Sequence, residues 1–328
     1  MFTDILLPVA ALGGLGLLLG LGLAVASKLL AVKVDPNIEV ISELLPGVNC
    51  GGCGYPGCDS FSKALTEGKT EVGKCTVLSM DNLEAIAEVL GVQAKMGDRT
   101  VARVLCRGDE ENCATKFEYY GLHDCRAAAM LAGGPSSCRF ACVGLLTCAK
   151  ACPFDAICLN EHGIAQVIEE RCTGCGRCVV ACPKDAITLM EETNRVYINC
   201  RNTDKGKEVS SVCKAGCIGC SLCETRCPQD AIHMEDNLPV YDYDKCNDCG
   251  VCAVVCPKGS IAMKTPTTQT AVIYEDPCTG CGICKQVCPT KAIKGEAGKL
   301  HVVNPDKCAA CNICVEKCPE DAIELCDK

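Results

Sequence analysis

Tryptophan is absent from this 328-residue chain, and five phenylalanines and seven tyrosines are all the aromatic side chains it has. So few large rings argue against one large hydrophobic core and favour several small units. Histidine is scarce too, at four residues, so the imidazole supply of a typical zinc or copper enzyme is missing. Basic residues are outnumbered by acidic ones, 32 to 41, and a net charge of −9 excludes the basic surface expected of a nucleic-acid binder. No G-x-G-x-x-G follows a strand-like run and no P-loop is present, so neither dinucleotide nor triphosphate binding is signalled. The excess is in cysteine, with 35 residues. A disulfide framework would leave one over, and a chain this long can bury a core without covalent staples, so thiolate ligation of metal is the better explanation.

From Ile5 to Ser27 the chain runs without a charge, rich in Leu, Gly, Ala and Val, which is long enough for one membrane-crossing helix. Ala24-Val25-Ala26 resembles a signal-peptidase site, but Asp4 and the lack of Lys or Arg before the run argue against a signal peptide. Lys28 and Lys33 follow the run, and the positive-inside rule then places the rest of the chain in the cytoplasm, anchored by a single pass in the cell membrane. A reducing cytoplasm agrees with free thiolates kept for metal.

The spacing C-x2-C-x2-C-x3-C-P occurs five times without error. The copies are Cys172, Cys175, Cys178, Cys182; Cys217, Cys220, Cys223, Cys227; Cys246, Cys249, Cys252, Cys256; Cys278, Cys281, Cys284, Cys288; and Cys308, Cys311, Cys314, Cys318. This is the bacterial ferredoxin run for a [4Fe–4S] cluster: three near cysteines wrap one cluster, and the fourth serves its neighbour. Zinc would use two C-x2-C pairs, and gives no reason for the third cysteine or for the proline. The proline is expected to open a short helix leading away from the fourth cysteine.

A sixth copy is altered. Cys142, Cys148, Cys152 and Pro153 are in place, but Leu145 stands at the second cysteine, and Cys138, four residues ahead of the first, is expected to replace it. Intervals between the final cysteines pair the six groups as first with second, third with fourth and fifth with sixth. Exchange within pairs assigns Cys182 to Cys138, Cys142 and Cys148; Cys152 to Cys172, Cys175 and Cys178; Cys256 to Cys217, Cys220 and Cys223; Cys227 to Cys246, Cys249 and Cys252. In the last pair, Cys318 joins Cys278, Cys281 and Cys284, and Cys288 joins Cys308, Cys311 and Cys314. Strand-like runs precede the cysteine groups, among them Val196–Ile198, Val240-Tyr241 and Ala271–Tyr274.

Upstream, Cys50, Cys53, Cys58 and Cys75 form a separate glycine-rich quartet, flanked by the helical patterns Ile38-Ile41-Leu44-Leu45 and Leu83-Ile86-Ala87-Leu90. Seven clusters account for all but Cys106, Cys113, Cys125, Cys158, Cys200, Cys213 and Cys326. These seven are either small buried hydrophobes or supply an eighth cluster from Cys106, Cys113, Cys125 and one of Cys138, Cys200 and Cys213. Cys125-x12-Cys138-x3-Cys142 is repeated as Cys200-x12-Cys213-x3-Cys217. No catalytic residue is identified. The fold class is α+β: residues 1–30 a transmembrane helix, 34–95 a small α-helical [4Fe–4S] domain, 96–196 a cysteine-containing linker with a first two-cluster ferredoxin module, 197–268 a second and 269–328 a third.

This order of parts, a membrane helix, then Cys50-Gly-Gly-Cys53-Gly-Tyr-Pro-Gly-Cys58, then ferredoxin motifs, resembles the B subunit of the Rnf complex over essentially the whole chain. The resemblance implies an electron-input subunit of a membrane complex that oxidises reduced ferredoxin, reduces NAD⁺ and moves sodium ions or protons outward. It also implies flavin and NAD sites on other membrane subunits and none here. The competing readings are a membrane-tethered polyferredoxin serving a dehydrogenase or hydrogenase, and a reductase of a redox-sensing regulator. Lys205, Lys207 and Lys214 are candidates for docking an acidic ferredoxin, against the plainer reading of a solvated loop.

Overall fold

The computed structural model of the chain describes residues 2–29, 35–264 and 268–327, and within the first helix the side-chain surroundings of 13–27. That helix, α1 (Phe2–Leu29), is unbroken, and Leu15, Leu17, Leu18, Leu19, Leu21 and Leu23 on it are all exposed. Among the described residues no helix is long and apolar enough to cross a membrane. The expected span begins at Ile5, and its first part lies outside the residues with described side chains. The remaining fifteen residues are about 22 Å long at 1.5 Å each, against a hydrocarbon core of about 30 Å.

Three helices then enclose a small core. The second helix, α2 (Pro36–Leu44), opens on Pro36, with Asp35 accepting the amide of Asn37 at 2.9 Å. Ser79 caps α4 (Met80–Leu90) through the amide of Asn82, and Gly91 closes it at φ +65°, where a side chain would be strained. Between them lies α3 (Cys58–Thr66), and Ile41, Phe61, Leu65, Leu83 and Ile86 from the three helices are buried together. The apolar spacing at Ile38–Leu45 and Leu83–Leu90 thus becomes one inward face on α2 and one on α4.

The rest of the described chain repeats one plan three times. In the first unit β1 (Thr100–Val104) pairs antiparallel with the last strand, β4 (Ile187–Glu191), around an inner hairpin of β2 (Ile157–Leu159) and β3 (Ala165–Val167). The second pairs β5 (Val196–Ile198) with β8 (Ile261–Met263) around β6 (Ile232–Glu235) and β7 (Leu238–Tyr241). The third pairs β9 (Gln269–Ile273) with β12 (Ile323–Asp327) around β10 (Ile293–Lys294) and β11 (Val302–Val303). Each core combines a few aliphatic side chains, such as Val101, Ile157 and Ile187 in the first unit, with buried cysteines.

Short helices complete the units: α5 (Cys125–Met130), α6 (Thr147–Lys150), α7 (Arg177–Ala181), α8 (Gly206–Val212), α9 (Leu222–Thr225), α10 (Val251–Val255), α11 (Ile283–Val287) and α12 (Ile313–Glu316). Two expectations need correction. The short helix precedes the fourth cysteine and does not follow the proline. Proline forces the residue before it to be extended, and Cys182 accordingly sits at φ −80°, ψ 113°, ending α7. A turn follows, with Asp155, Asp185, Asp230, Lys291 and Asp321 all at positive φ. The segment read as a linker from 96 also contains β1, the outer strand of the first unit, and the expected break after 196 falls inside β5.

Candidate metal centres

In every C-x2-C-x2-C loop the residues on either side of the second cysteine have positive φ: Gly174 and Gly176, Gly219 and Ser221, Asp248 and Gly250, Gly280 and Gly282, Ala310 and Asn312. This double left-handed turn curls the loop round one point, so that three sulfurs face inward within a reach of a few residues. Amides complete the surroundings. Ala102 N donates to Cys172 Sγ at 3.3 Å and Ala271 N to Cys308 Sγ at 3.4 Å. The fourth cysteines accept likewise: Cys227 from Ala231 N, Cys256 from Ser260 N, Cys288 from Ala292 N and Cys318 from Ala322 N, at 3.3 to 3.4 Å. Such bonds stabilise a thiolate that ligates metal.

The side chains gather in fours. Burial and the charges of Cys53 and Cys50 raise the Cys75 thiol, and Cys58 packs on the same core. Burial and then Cys172, Cys175, Cys148 and Cys152 push Cys178 up to about 12. Burial, with Cys200, Cys223 and Cys256 nearby, takes Cys217 to about 11, and burial with Cys220 and Cys256 nearby does the same for Cys223. Cys252 rises to about 12 through burial and the charges of Cys249, Cys223 and Cys246, while Cys227 acts on Cys246. In the third unit Cys281, Cys278 and Cys318 surround a thiol at Cys284 that burial already raises, and Cys314 reaches about 12 through burial, Cys311, Cys308 and Cys288. Each fourth cysteine therefore lies with the other group of its unit.

Thiolates this buried are costly as bare anions and call for positive charge among them. Cavities among them are lined by Cys152, Cys172, Cys175 and Cys178, by Cys217, Cys220, Cys223 and Cys256, and by Cys278, Cys281, Cys284 and Cys318. Among the described residues no three His, Cys, Asp or Glu side chains converge on the position of a single ion. Four thiolates on one zinc would stand only about 3.8 Å apart, given Zn–S bonds of about 2.3 Å. A polynuclear iron–sulfur cluster fits this donor set.

The altered copy corrects an expectation. Its loop keeps the same backbone, with Gly144 at φ +78° and Leu146 at φ +55° on either side of Leu145. The further thiol beside this loop is that of Cys125 and not that of Cys138. Burial and the charges of Cys142, Cys125 and Cys182 push Cys148 up to about 12. Cys125 opens α5, where Asp124 caps the amides of Arg126 and Ala127, and its own amide donates to Thr147 Oγ1 at 2.7 Å. That bond ties α5 to α6 and brings Cys125 to the altered loop. Cys138 faces elsewhere: its amide donates to Cys113 Sγ, and its sulfur accepts from Asn202 Nδ2, both at 3.4 Å.

Cys106, Cys113, Cys138, Cys200 and Cys213 gather beside these groups without Cys125, so the alternative set that included Cys125 is also corrected. The shared x12 spacing misled, because it aligned Cys125 with Cys200. Strand position is the better signal, since Cys106 lies two residues after β1 and Cys200 two after β5. Cys158 is exposed on β2, and Cys326 on β12 is 3.8 Å from the Tyr274 hydroxyl. Lys205, Lys207 and Lys214 flank or begin α8 and are exposed, while His301 is buried with Nδ1 3.0 Å from Lys299 O.

Neighbouring groups touch. A Cβ on Gly52, between Cys50 and Cys53, would lie 3.0 Å from the Cys175 backbone, and Cys50 acts electrostatically on Cys175. Cys148 acts on Cys178 within the first unit, Cys223 on Cys252 within the second, and Cys311 on Cys249 between the second and third. These approaches link the helical domain to the first unit and the second unit to the third.

Residues 45–77 match an Fe-S cluster family, 165–188 a 4Fe-4S binding domain, and 216–260, 245–292 and 271–325 4Fe-4S dicluster domains. The chain is 42% identical over 246 residues to the B subunit of the Na⁺-translocating ferredoxin:NAD⁺ oxidoreductase complex of Acetobacterium woodii, covering 75% of this chain and 74% of that one. Similarity to the B subunit of the proton-translocating complex of Clostridium ljungdahlii is 40% over 233 residues, 71% and 82% of the two chains. The B subunit of an ion-translocating oxidoreductase complex of Methanosarcina acetivorans is 37% identical over 238 residues, 73% and 90%.

Proposed function

Because the chain belongs to the family of Rnf complex B subunits, we propose a route for electrons through it, from the third ferredoxin-like unit to the helical domain. It is an electron-transfer subunit of the ion-translocating ferredoxin:NAD⁺ oxidoreductase, and its cysteines hold [4Fe–4S] clusters. Bound there, the clusters supply one-electron transfer. The protein supplies the rest: thiolates at fixed separation, amides aimed at sulfur, and contacts that keep one group beside the next.

Seven clusters are assigned to Cys50, Cys53, Cys58 and Cys75; Cys152, Cys172, Cys175 and Cys178; Cys125, Cys142, Cys148 and Cys182; Cys217, Cys220, Cys223 and Cys256; Cys227, Cys246, Cys249 and Cys252; Cys288, Cys308, Cys311 and Cys314; and Cys278, Cys281, Cys284 and Cys318. The last six make three two-cluster ferredoxin modules. The observation that carries the route is the packing of successive quartets, above all Gly52 against Cys175 and Cys249 beside Cys311. Reduced ferredoxin is the donor at the third module, where Cys281 is exposed. The helical domain follows α1 in sequence and hands electrons to the flavin- and NAD-bearing membrane subunits. Residues 1–30 are the membrane anchor in this reading, with all cluster domains in the cytoplasm; the uncharged run from Ile5 to Ser27 supports it.

The test is anaerobic purification in mild detergent, followed by ferredoxin-dependent NAD⁺ reduction on the recovered complex. In Cys58→Ala, ferredoxin is expected to reduce the C-terminal clusters while NAD⁺ reduction stops. Unchanged NAD⁺ reduction would refute the route, and recovery with a dehydrogenase in place of integral flavin-bearing partners would favour a tethered polyferredoxin.

A further inference from the structure

We propose that Cys106, Cys138, Cys200 and Cys213 hold one further [4Fe–4S] cluster, placed between the first and second units. The proposal rests on the cluster-relay reading above and adds a site to it. A cavity lined by these four cysteines is comparable in size with the cavities at the motif quartets. It is built like them, from thiols, amides and small side chains.

The four cysteines come in matched pairs from the two units. Cys106 and Cys200 each follow the first strand of their unit by two residues, and each is followed by an arginine, Arg107 or Arg201, that lines the same cavity. Cys138 and Cys213 each precede the first cysteine of their unit, Cys142 or Cys217, by four residues. The site is thus two equivalent half-sites facing one another, which is how the duplicated units create a ligand set neither has alone.

Hydrogen bonding follows the same two-fold plan. Cys106 Sγ accepts from Gly108 N and Cys142 N, both at 3.3 Å. Cys200 Sγ accepts from Asn202 N at 3.5 Å and Cys217 N at 3.4 Å. Asn202 is 1% exposed, and its side-chain amide donates to Cys138 Sγ at 3.4 Å. A buried amide side chain directed at a sulfur is what a ligating thiolate requires from its surroundings. Cys113 does not line the cavity; its sulfur accepts the Cys138 amide and holds that segment in place.

Location supplies the function. Cys142 and Cys217, whose amides reach Cys106 and Cys200, belong to the nearest quartets of the first and second units. The site therefore joins the two halves of the relay. An electron received from the second unit leaves to the first, so the site returns to its starting state after each transfer.

Anaerobic native mass spectrometry of the full-length chain, with iron and acid-labile sulfide counted per polypeptide, tests this. About 32 irons are expected, from four per cluster, against about 28 for the motif quartets alone. A wild-type count near 28, or one zinc in place of the added four irons, overturns the proposal while leaving the seven assigned clusters in place. A count well below 28 breaks the relay reading itself. In Cys200→Ser/Cys213→Ser, loss of about four irons supports the site, and an unchanged count removes it. Cys113→Ser should keep all the iron, and loss of a cluster there but not in Cys106→Ser would overturn the ligand set. Should the double variant lose several clusters through misfolding, the wild-type count still decides.

Discussion

The first and third units share one backbone plan but differ in how their first cluster loop is supplied. In the third, β9 ends at Ile273 and Cys278 follows almost at once, and that cysteine group supplies its own first three sulfurs. In the first, residues 105–141 separate β1 from Cys142, and the loop carries Leu145 where the third unit has Cys281. Both loops make the same pair of left-handed turns. Loop shape and residue identity are therefore separable: the backbone keeps its turns without the second cysteine, and Cys125 from elsewhere lies beside it. The long insertion also carries Cys106, Cys113 and Cys138 to the boundary with the second unit.

The largest expected effect breaks that arrangement. Cys125→Ala should remove the first unit's altered-loop cluster, about four irons, and stop electrons reaching the helical domain, as read by iron analysis and stepwise anaerobic reduction. Adding Leu145→Cys to Cys125→Ala should restore that cluster, because the loop already has the required turns. Failure of the rescue would mean that Cys125 does not occupy the vacated position. The mirror experiment is Cys281→Leu in the third unit, which should lose about four irons because no counterpart of α5 stands over that loop.

Smaller effects concern the joints. Gly52→Val places its Cβ against the Cys175 backbone and should cost about 1–3 kcal/mol of docking. Iron content would be retained and transfer from the first unit to the helical domain slowed; an unchanged transfer rate would remove the contact from the route. Smallest is Arg103→Leu. Arg103, 4% exposed, pairs with Glu169 at 3.0 Å, donates to Asn194 O at 3.1 Å and lies 4.7 Å over the Tyr197 ring. Lys264 also pairs with Glu169, so the carboxylate keeps a partner and the loss should be about 2 kcal/mol in anaerobic denaturation. No counterpart of this anchor is expected to matter in the third unit.

Within each motif the sequence was decisive. Cysteines two residues apart can reach one cluster only through a tight loop, so spacing alone groups the first three sulfurs, whereas the proline was misread, since it follows the short helix and does not open one. Strand-like runs such as Val196–Ile198 were legible as well. The return strands were not, because Ile187–Glu191 acquires its partner, Thr100–Val104, only across the intervening fold. The same holds for the sulfur that replaces Leu145 and for the meeting of Cys106 and Cys138 with Cys200 and Cys213. Short-range geometry is fixed by the reach of the chain, and it is written in the order of residues. Which distant thiol completes a site depends on strand pairing, on the bond between Cys125 and Thr147, and on the packing of one unit against the next, and these exist only once the chain has folded.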